Sequence, residues 1–405
     1  MKRTLSFLLP LMLMLAACDP NITPIPDPTP DDSTTFVFPT DRWVGGDISL
    51  LPSYEEANTP YNDADGNLIP DVVRYVHDSA HWNAARVRLF VNPVIINPEN
   101  SKRQGEVQDL NYVKALGKRI KDAEMAFMLD FHYSDTWADP TKQTIPSAWQ
   151  NISQGEEMAA KVYEYTRSCL TELVAFGATP DFIQVGNEIS YGMLWSRKGA
   201  DMVSPNSNYE DYQANWEKFS SYLNAGARAC REVCPQAKIV IHIERTTSAS
   251  QCVNFYNYIG RNNVDYDIIG LSYYPFWHGY LDKLSSTLKA LKNNFPDKPV
   301  QIVETAYYNN YFPTDGSATY TTTDKWGASE KGQNSYIKAL CEELKKNSNV
   351  NGLYYWFPEE NGNGGSSYNA NNIVIDDWLN RGLWDPSKHK AFMGLMSLQN
   401  FYEEQ

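Results

Sequence analysis

The sequence has no surplus of positive charge: across 405 residues, 35 Lys and Arg stand against 49 Asp and Glu, for a formal net charge of −14. A nucleic acid is held by a basic surface, so a partner of that kind bound through bulk charge is excluded. No C-x-x-C pair occurs among the six cysteines, which removes the usual structural zinc site. After the first 17 residues no apolar run approaches the roughly 20 residues that a membrane-spanning helix needs. No G-x-G-x-x-G turn follows the first candidate strand, where residues 45–50 read GGDISL, so a dinucleotide-binding doubly wound sheet is disfavoured. Heptads and internal repeats are missing too, and a monomer is expected. What is in excess is aromatic: 11 Trp and 26 Tyr, whose flat apolar faces with one polar handle suit sugar rings as well as protein interiors.

The N-terminus carries Lys2 and Arg3, then an apolar run from Leu5 to Ala17 broken by Ser6 and Pro10, then Cys18. That is the layout of a secretory signal, and 13 residues are too few for a span. Leu15-Ala16-Ala17-Cys18 resembles a bacterial lipobox, which implies cleavage before Cys18 and lipidation of that cysteine. The expected organisation is a signal peptide over 1–17, a lipidated cysteine and tether over 18–35, and one folded domain over 36–405. Residues 19–35, DPNITPIPDPTPDDSTT, hold five Pro and four Asp and cannot bury enough apolar surface to fold. A membrane partner through the lipid follows, with an outer-membrane or cell-surface location. Cys169, Cys230, Cys234, Cys252 and Cys341 are read as small buried residues without a function.

From Phe36 onward, eight short apolar runs read as strands: 43–49, 85–91, 126–133, 182–189, 239–244, 268–274, 300–306 and 352–357. Segments with helical spacing lie between them, among them 110–123, 156–176, 212–233, 281–295 and 330–346. Strand–helix alternation implies a parallel sheet, and eight units imply closure into a single (β/α)8 barrel of the α/β class.

In such a barrel the active site forms at the carboxyl ends of the strands. Polar residues close the runs in turn: Asp47; Arg86 and Arg88; Asp130 with His132; Asn187 and Glu188; His242; Tyr273 and Tyr274; Glu304; Trp356. Glu188 ends FIQVGNE and Glu304 ends VQIVE, each after a run too apolar to face solvent. Paired carboxylates at one end of a barrel are what glycoside hydrolysis requires, one to protonate the leaving oxygen and one to attack or to activate water.

The longer strings GGDIS (45–49), RVRLFVNP (86–93), DFHYSDTWADP (130–140), QVGNEISYGMLW (184–195), IGLSYYPFWHG (269–279) and VETAY (303–307) resemble the arabinogalactan endo-β-1,4-galactanases of glycoside hydrolase family 53. The similarity runs in order over nearly all of the folded part. It implies Glu188 as acid/base and Glu304 as nucleophile of a retaining mechanism, acting on β-1,4-galactan. By the same resemblance Arg88 and Tyr273 or Tyr274 would hold Glu304, and His132, Asn187 and His242 would line the central subsite with Asp47 nearby. Trp137, Trp195, Trp277 and Trp356 are candidates for sugar stacking, with at least one of the four expected in the core.

Three features depart from the family. The loop after strand 7 lacks the Asp- and His-rich run that holds calcium in bacterial relatives, so no cofactor is required and a structural calcium is unsupported. Strand 8 reads YYWFPEE, with Phe357 where an acid is frequent. Strand 5 reads IHIER, whose Glu244 and Arg245 are unfamiliar and could pair with each other. Competing readings are a retaining β-mannanase or β-glucanase and a glycan-binding surface lipoprotein without catalysis.

Overall fold

The computed structural model describes residues 36–93, 106–312, 325–361 and 380–402. Cys18, the signal and the tether lie outside them. Eight strands, β1 (Trp43–Asp47), β2 (Ala84–Leu89), β3 (Ala126–Phe131), β4 (Phe182–Val185), β5 (Lys238–Ile243), β6 (Ile268–Ser272), β7 (Val300–Thr305) and β8 (Val350–Trp356), pair in sequence order. Every pair is parallel, and β1 also pairs with β8, so the sheet closes. The expected barrel is the observed one.

Alternation along the strands sorts the side chains. Ala84, Met128, Phe182, Val240, Ile268, Val303 and Tyr354 form one buried cluster, with Trp43 and Ala126 against it. These are the inward residues of the barrel's lower layers, and Trp43 meets Phe182 edge-on at 5.1 Å. The outward residues, such as Val87, Leu129, Ile183 and Ile241, belong to the larger core beneath the helices. Further along, the inward positions of β1 to β5 turn polar at Asp47, Arg86, Asp130, Gln184 and His242, and those positions build the site described below.

The helices follow from period and caps. Glu156–Phe176 buries Met158, Val162, Thr166, Cys169, Leu170 and Leu173, one stripe at three- and four-residue spacing. It ends at Gly177, whose φ of +84° lets its N–H close back on Leu173 and Val174. Asp109, Ser248 and Ser329 cap the helices that follow them through side-chain oxygens. The helix Ala249–Arg261 was not among the segments read from the sequence. Its ASQCVNFYNYIGR is rich in Asn, aromatic and β-branched residues of low helix propensity, and the packing of Cys252, Phe255, Tyr256 and Ile259 overrides that.

The strand assignments run too far at their carboxyl ends: β4 stops at Val185 rather than 189, and β3 at Phe131 rather than 133. Backbone dihedrals give the reason. Tyr133 (φ +49°), Gly186 (φ +89°), Glu188 (φ +47°) and Phe357 (φ +62°) take left-handed conformations just past the strand ends, which no ladder continues through. Those turns aim the following side chains across the barrel mouth. The five cysteines of the folded part are buried, as expected. No helix among the described residues is long and apolar enough to cross a membrane.

Gly45 has no room for a side chain, because a Cβ there would sit 1.8 Å from the carbonyl oxygen of Ala84 on the neighbouring strand. Gly45→Ala must therefore push β1 and β2 apart. We expect a loss of about 3 kcal/mol or more, read as a lower thermal midpoint or as insoluble protein; an unchanged midpoint would contradict this packing.

Candidate active site

The inward positions at the carboxyl end place one guanidinium at the centre. Arg86 Nη1 donates to Asp47 at 2.7 Å, and Nη2 reaches Asp130 at 2.7 Å, Asn187 Oδ1 at 2.9 Å and Glu304 Oε1 at 3.0 Å. Arg86 is fully buried, and although burial opposes its charge, Asp130, Glu304 and Asp47 hold it firmly cationic. Arg88, two residues on and facing the same way, binds Asp47 at 2.9 Å instead. Its guanidinium then lies under Trp137 at 4.4 Å and Trp356 at 5.8 Å. The expectation that Arg88 holds Glu304 is thus corrected: i and i+2 share a strand face, and the deeper arginine reaches the carboxylate.

Glu304 points inward because β7 is irregular. Ser272 of β6 pairs with Glu304 while Leu271 pairs with Ile302, so one extra residue is accommodated at Val303. Val303 already faces the barrel interior, and strict alternation would have turned Glu304 outward. Thr305 takes the outward place, bonded to Tyr336 on the helix Glu330–Lys345. Tyr274 then donates its hydroxyl to Glu304 Oε2 at 2.8 Å. Tyr273 faces the other way, gives its hydroxyl to Gly279 O at 2.7 Å and is fully buried outside the site. Of the two tyrosines left open by the sequence, Tyr274 is the partner.

Glu188 faces the same space from the left-handed turn after β4. Ser272 Oγ lies 2.7 Å from Glu188 Oε1 and 3.4 Å from Glu304 Oε2, so these two oxygens are at most about 6 Å apart. That close approach suits the roughly 5–5.5 Å between the carboxyls of retaining glycosidases. Burial raises the pKa of both groups. For Glu304 this is opposed by Arg86 and then by Tyr274, with Asp130 and Asp47 adding to it; Glu188 is pushed further by Glu304 and Glu244, with Ser272 in opposition. The first proton to leave the pair therefore comes from Glu304, and the resulting charge keeps the second on Glu188.

Hydrogen bonds fix the neighbouring imidazoles. His132 Nδ1 accepts from the Ala138 N–H at 3.0 Å, so its Nε2 proton points to Asp130 at 3.1 Å. Burial and then Arg86 keep His242 neutral, with Nε2 2.8 Å from Ser272 Oγ and Nδ1 3.1 Å from the Gln184 amide nitrogen. The Ser272 hydroxyl thus bridges His242 Nε2 and Glu188 Oε1, while His242 Nδ1 also lies 3.0 Å from Asn187 Oδ1.

A cleft of about 560 Å³ opens above this layer, lined by His132, Trp137, Asn187, Glu188, Tyr274, Trp277, Glu304 and Trp356 among the expected residues. It leaves out Asp47, Arg88, Trp195, His242 and Tyr273. Asp47, Arg88 and His242 form the charged and hydrogen-bonded floor beneath it. Trp195 is buried, donates to Tyr191 O and ties the loop after β4 to Gln143, so it is the core tryptophan of the four. The sequence shows Arg86 and Asp130 closing their strands without assigning them a role, and Gln184 and Ser272 are missed, although alternation from the inward residues of their strands points to all four. Glu244 and His278 also line the cleft. Glu244 and Arg245 do pair, at 2.8 Å. No cluster of three or more His, Cys, Asp or Glu among the described residues could hold a metal ion. Residues 313–324 of the loop after β7, where a calcium site was in question, lie outside those residues.

Residues 43–398 match the family described as Glycosyl hydrolase family 53. The chain belongs to that family. It is 32% identical to an arabinogalactan endo-beta-1,4-galactanase of Cellvibrio japonicus, over 81% of each chain. It is 31% identical to an endo-beta-1,4-galactanase of Bacillus subtilis, over 78% of this chain and 69% of that one. Among solved structures it is similar to the Ignisphaera aggregans GH53 catalytic domain, with a TM-score of 0.76 and 29% identity over 90% of this chain and 98% of that one. This family 53 chain is thus a glycoside hydrolase.

The Tyr274 hydroxyl favours the ionised form of Glu304. Tyr274→Phe should raise the Glu304 pKa, so that activity is lost at a higher pH on the acid limb, with kcat/KM down ~10- to 100-fold at the optimum. A pH–rate profile checks this; an unmoved acid limb would detach Tyr274 from the ionisation of Glu304.

Proposed function

We propose that the chain is an endo-acting galactanase that cleaves β-1,4-galactosidic bonds in type I arabinogalactan side chains of pectin by double displacement. The observation that carries the reading is the carboxylate pair bridged by Ser272, with a cation and a phenol on one member only. Glu304, ionised against Arg86 and Tyr274, attacks the anomeric carbon while Glu188 gives its proton to the leaving oxygen. The glycosyl ester on Glu304 is then opened by water, whose proton returns to Glu188. Asn187, whose Oδ1 is occupied by Arg86 and one of whose amide protons goes to Ala138 O at 2.8 Å, keeps one N–H beside Glu188 that can donate to a sugar hydroxyl. Trp137, Trp277 and Trp356 supply apolar faces along the cleft for the pyranose rings.

The polymer is supported by relatives named for arabinogalactan and β-1,4-galactan. Linear β-1,4-galactan should give galactooligosaccharides of intermediate length, while β-mannan and cellulose offered in parallel stay intact. Proton NMR of the first product should show the β anomer. Cleavage of mannan or cellulose instead would overturn the polymer, and an α anomer would overturn double displacement. Glu304→Gln should lower turnover on the order of 10³-fold or more with folding kept; full turnover would remove Glu304 as nucleophile.

The N-terminal pattern supports a location for this activity. With Cys18 lipidated, the Pro- and Asp-rich stretch behind it would space the barrel from an outer membrane or cell surface. Cys18→Ser should shift the protein from the membrane to the soluble fraction on fractionation; retention in the membrane would sink the anchor.

A further inference from the structure

The wall of the cleft beyond Glu188 carries two polar groups that the reaction as described does not use. Glu244 follows β5 at the next inward position after His242 and lines the cleft, with 9% of its surface exposed. Its Oε1 is taken twice, by Ser190 Oγ at 2.7 Å and by Arg245 Nε at 2.8 Å. Its Oε2 is buried without a partner. Arg245 is itself held, lying over the Tyr191 ring at 4.4 Å, so the carboxylate is fixed from behind with one acceptor left open. Such an oxygen carries a desolvation cost that a hydrogen-bond donor reaching it would offset.

His278 lines the same wall from the short helix Pro275–His278. Its Nδ1 accepts the Tyr274 N–H at 3.0 Å, so the ring proton sits on Nε2. Burial, helped by the charge of Arg245, lowers its pKa to about 3 and keeps it a neutral, single-proton donor.

The side of the scissile bond follows from the neighbours. Glu244 acts on Glu188 electrostatically and is bound to Ser190, two residues beyond Glu188. Its strand adjoins β4 and is separated from β7 by β6. The group nearest the acid is the leaving group. We propose that Glu244 and His278 form the subsite for the sugar on the leaving-group side, with Glu244 Oε2 accepting a hydroxyl proton and His278 Nε2 donating to a hydroxyl oxygen. The subsite rests on the galactanase reading and deepens it, making Glu244 a specificity-determining residue.

A retaining enzyme offers a readout that separates this role from an effect on the acid. The glycosyl ester on Glu304 is opened by water or by the hydroxyl of an acceptor sugar; in both cases the C1–O bond to Glu304 breaks, a new C1–O bond forms and Glu188 takes the displaced proton. The ratio of transfer to hydrolysis therefore cancels any change in Glu188 and reports acceptor binding. With 4-nitrophenyl β-galactobioside as donor and galactobiose as added acceptor, the wild type should divert a share of product that rises with galactobiose. Glu244→Ala should lower the ratio ~10-fold or more, and Glu244→Gln, which fills the same volume and keeps one acceptor, should fall between. His278→Ala should lower it as well. A folded Glu244→Gln and Glu244→Ala with the wild-type ratio would overturn the subsite, as would reduced total turnover at constant ratio, which places Glu244 behind Glu188 only. A wild type that galactobiose does not divert overturns it too. A wild type that releases no nitrophenol and leaves galactan intact fails before any variant is compared, and that result overturns the galactanase reading together with the subsite.

Discussion

One buried cation organises the barrel mouth. Arg86 is in contact with Asp47, Asp130 and Glu304 on three different strands, and with the amide of Asn187 on the turn after a fourth. Removing a guanidinium and three carboxylates from water is expensive, and such networks rarely add net stability. The apolar layers beneath, from Trp43 and Phe182 to Tyr354, and the helix core outside must carry it. What the network gives in return is placement: no member can shift without stranding a charge that has no water to fall back on.

The charge balance of that floor also bears on the chemistry. Arg86 and Arg88 face Asp47, Asp130 and Glu304, while Glu188 keeps its proton and burial followed by Asp47 lifts Glu359 to about 8. Two positive charges against three negative leave the floor with an excess of about one negative charge. Positive charge develops on the sugar ring in the transition state of glycoside hydrolysis, so a floor poised this way favours it over the neutral substrate.

How much of this was legible in the sequence depends on which physical rule placed each residue. Regular alternation places Asp47, Arg86, Asp130, His132, His242, Tyr274 and Trp356, and a strand seen as a string shows it. What a string does not show is depth, and hence the choice of Arg88 over Arg86: both lie on the inner face, and only the stagger of neighbouring strands tells which one reaches Glu304. The irregularity at Val303 and the left-handed turn at Glu188 break the two-residue period at the two carboxylates. Their role was nevertheless readable, because an acid closing an apolar run stands out whichever way it points. The overrun of the strand assignments has the same origin, since a left-handed dihedral at Tyr133 or Glu188 ends the ladder without any change that a string shows.

The two sides of the cleft differ in what they can do to a sugar. On the Arg88 side Trp137 and Trp356 lie 6.1 Å apart with the guanidinium against both, so the aromatic faces are braced from below by a charge already committed to Asp47. Stacking there costs the protein little reorganisation and reads ring shape rather than individual hydroxyls. On the Glu244 side, Trp277 apart, the groups are single, directional and fixed by Ser190, Arg245 and Tyr274. A platform that tolerates any pyranose can hold the part of the chain being attacked while it slides into register. A wall of fixed donors and acceptors is suited to checking the sugar that leaves, because a missing or inverted hydroxyl there strands a buried polar group at the moment the acid must be aligned. Under the proposed subsites, selectivity among β-1,4-linked polymers would rest on the polar wall and chain retention on the aromatic one.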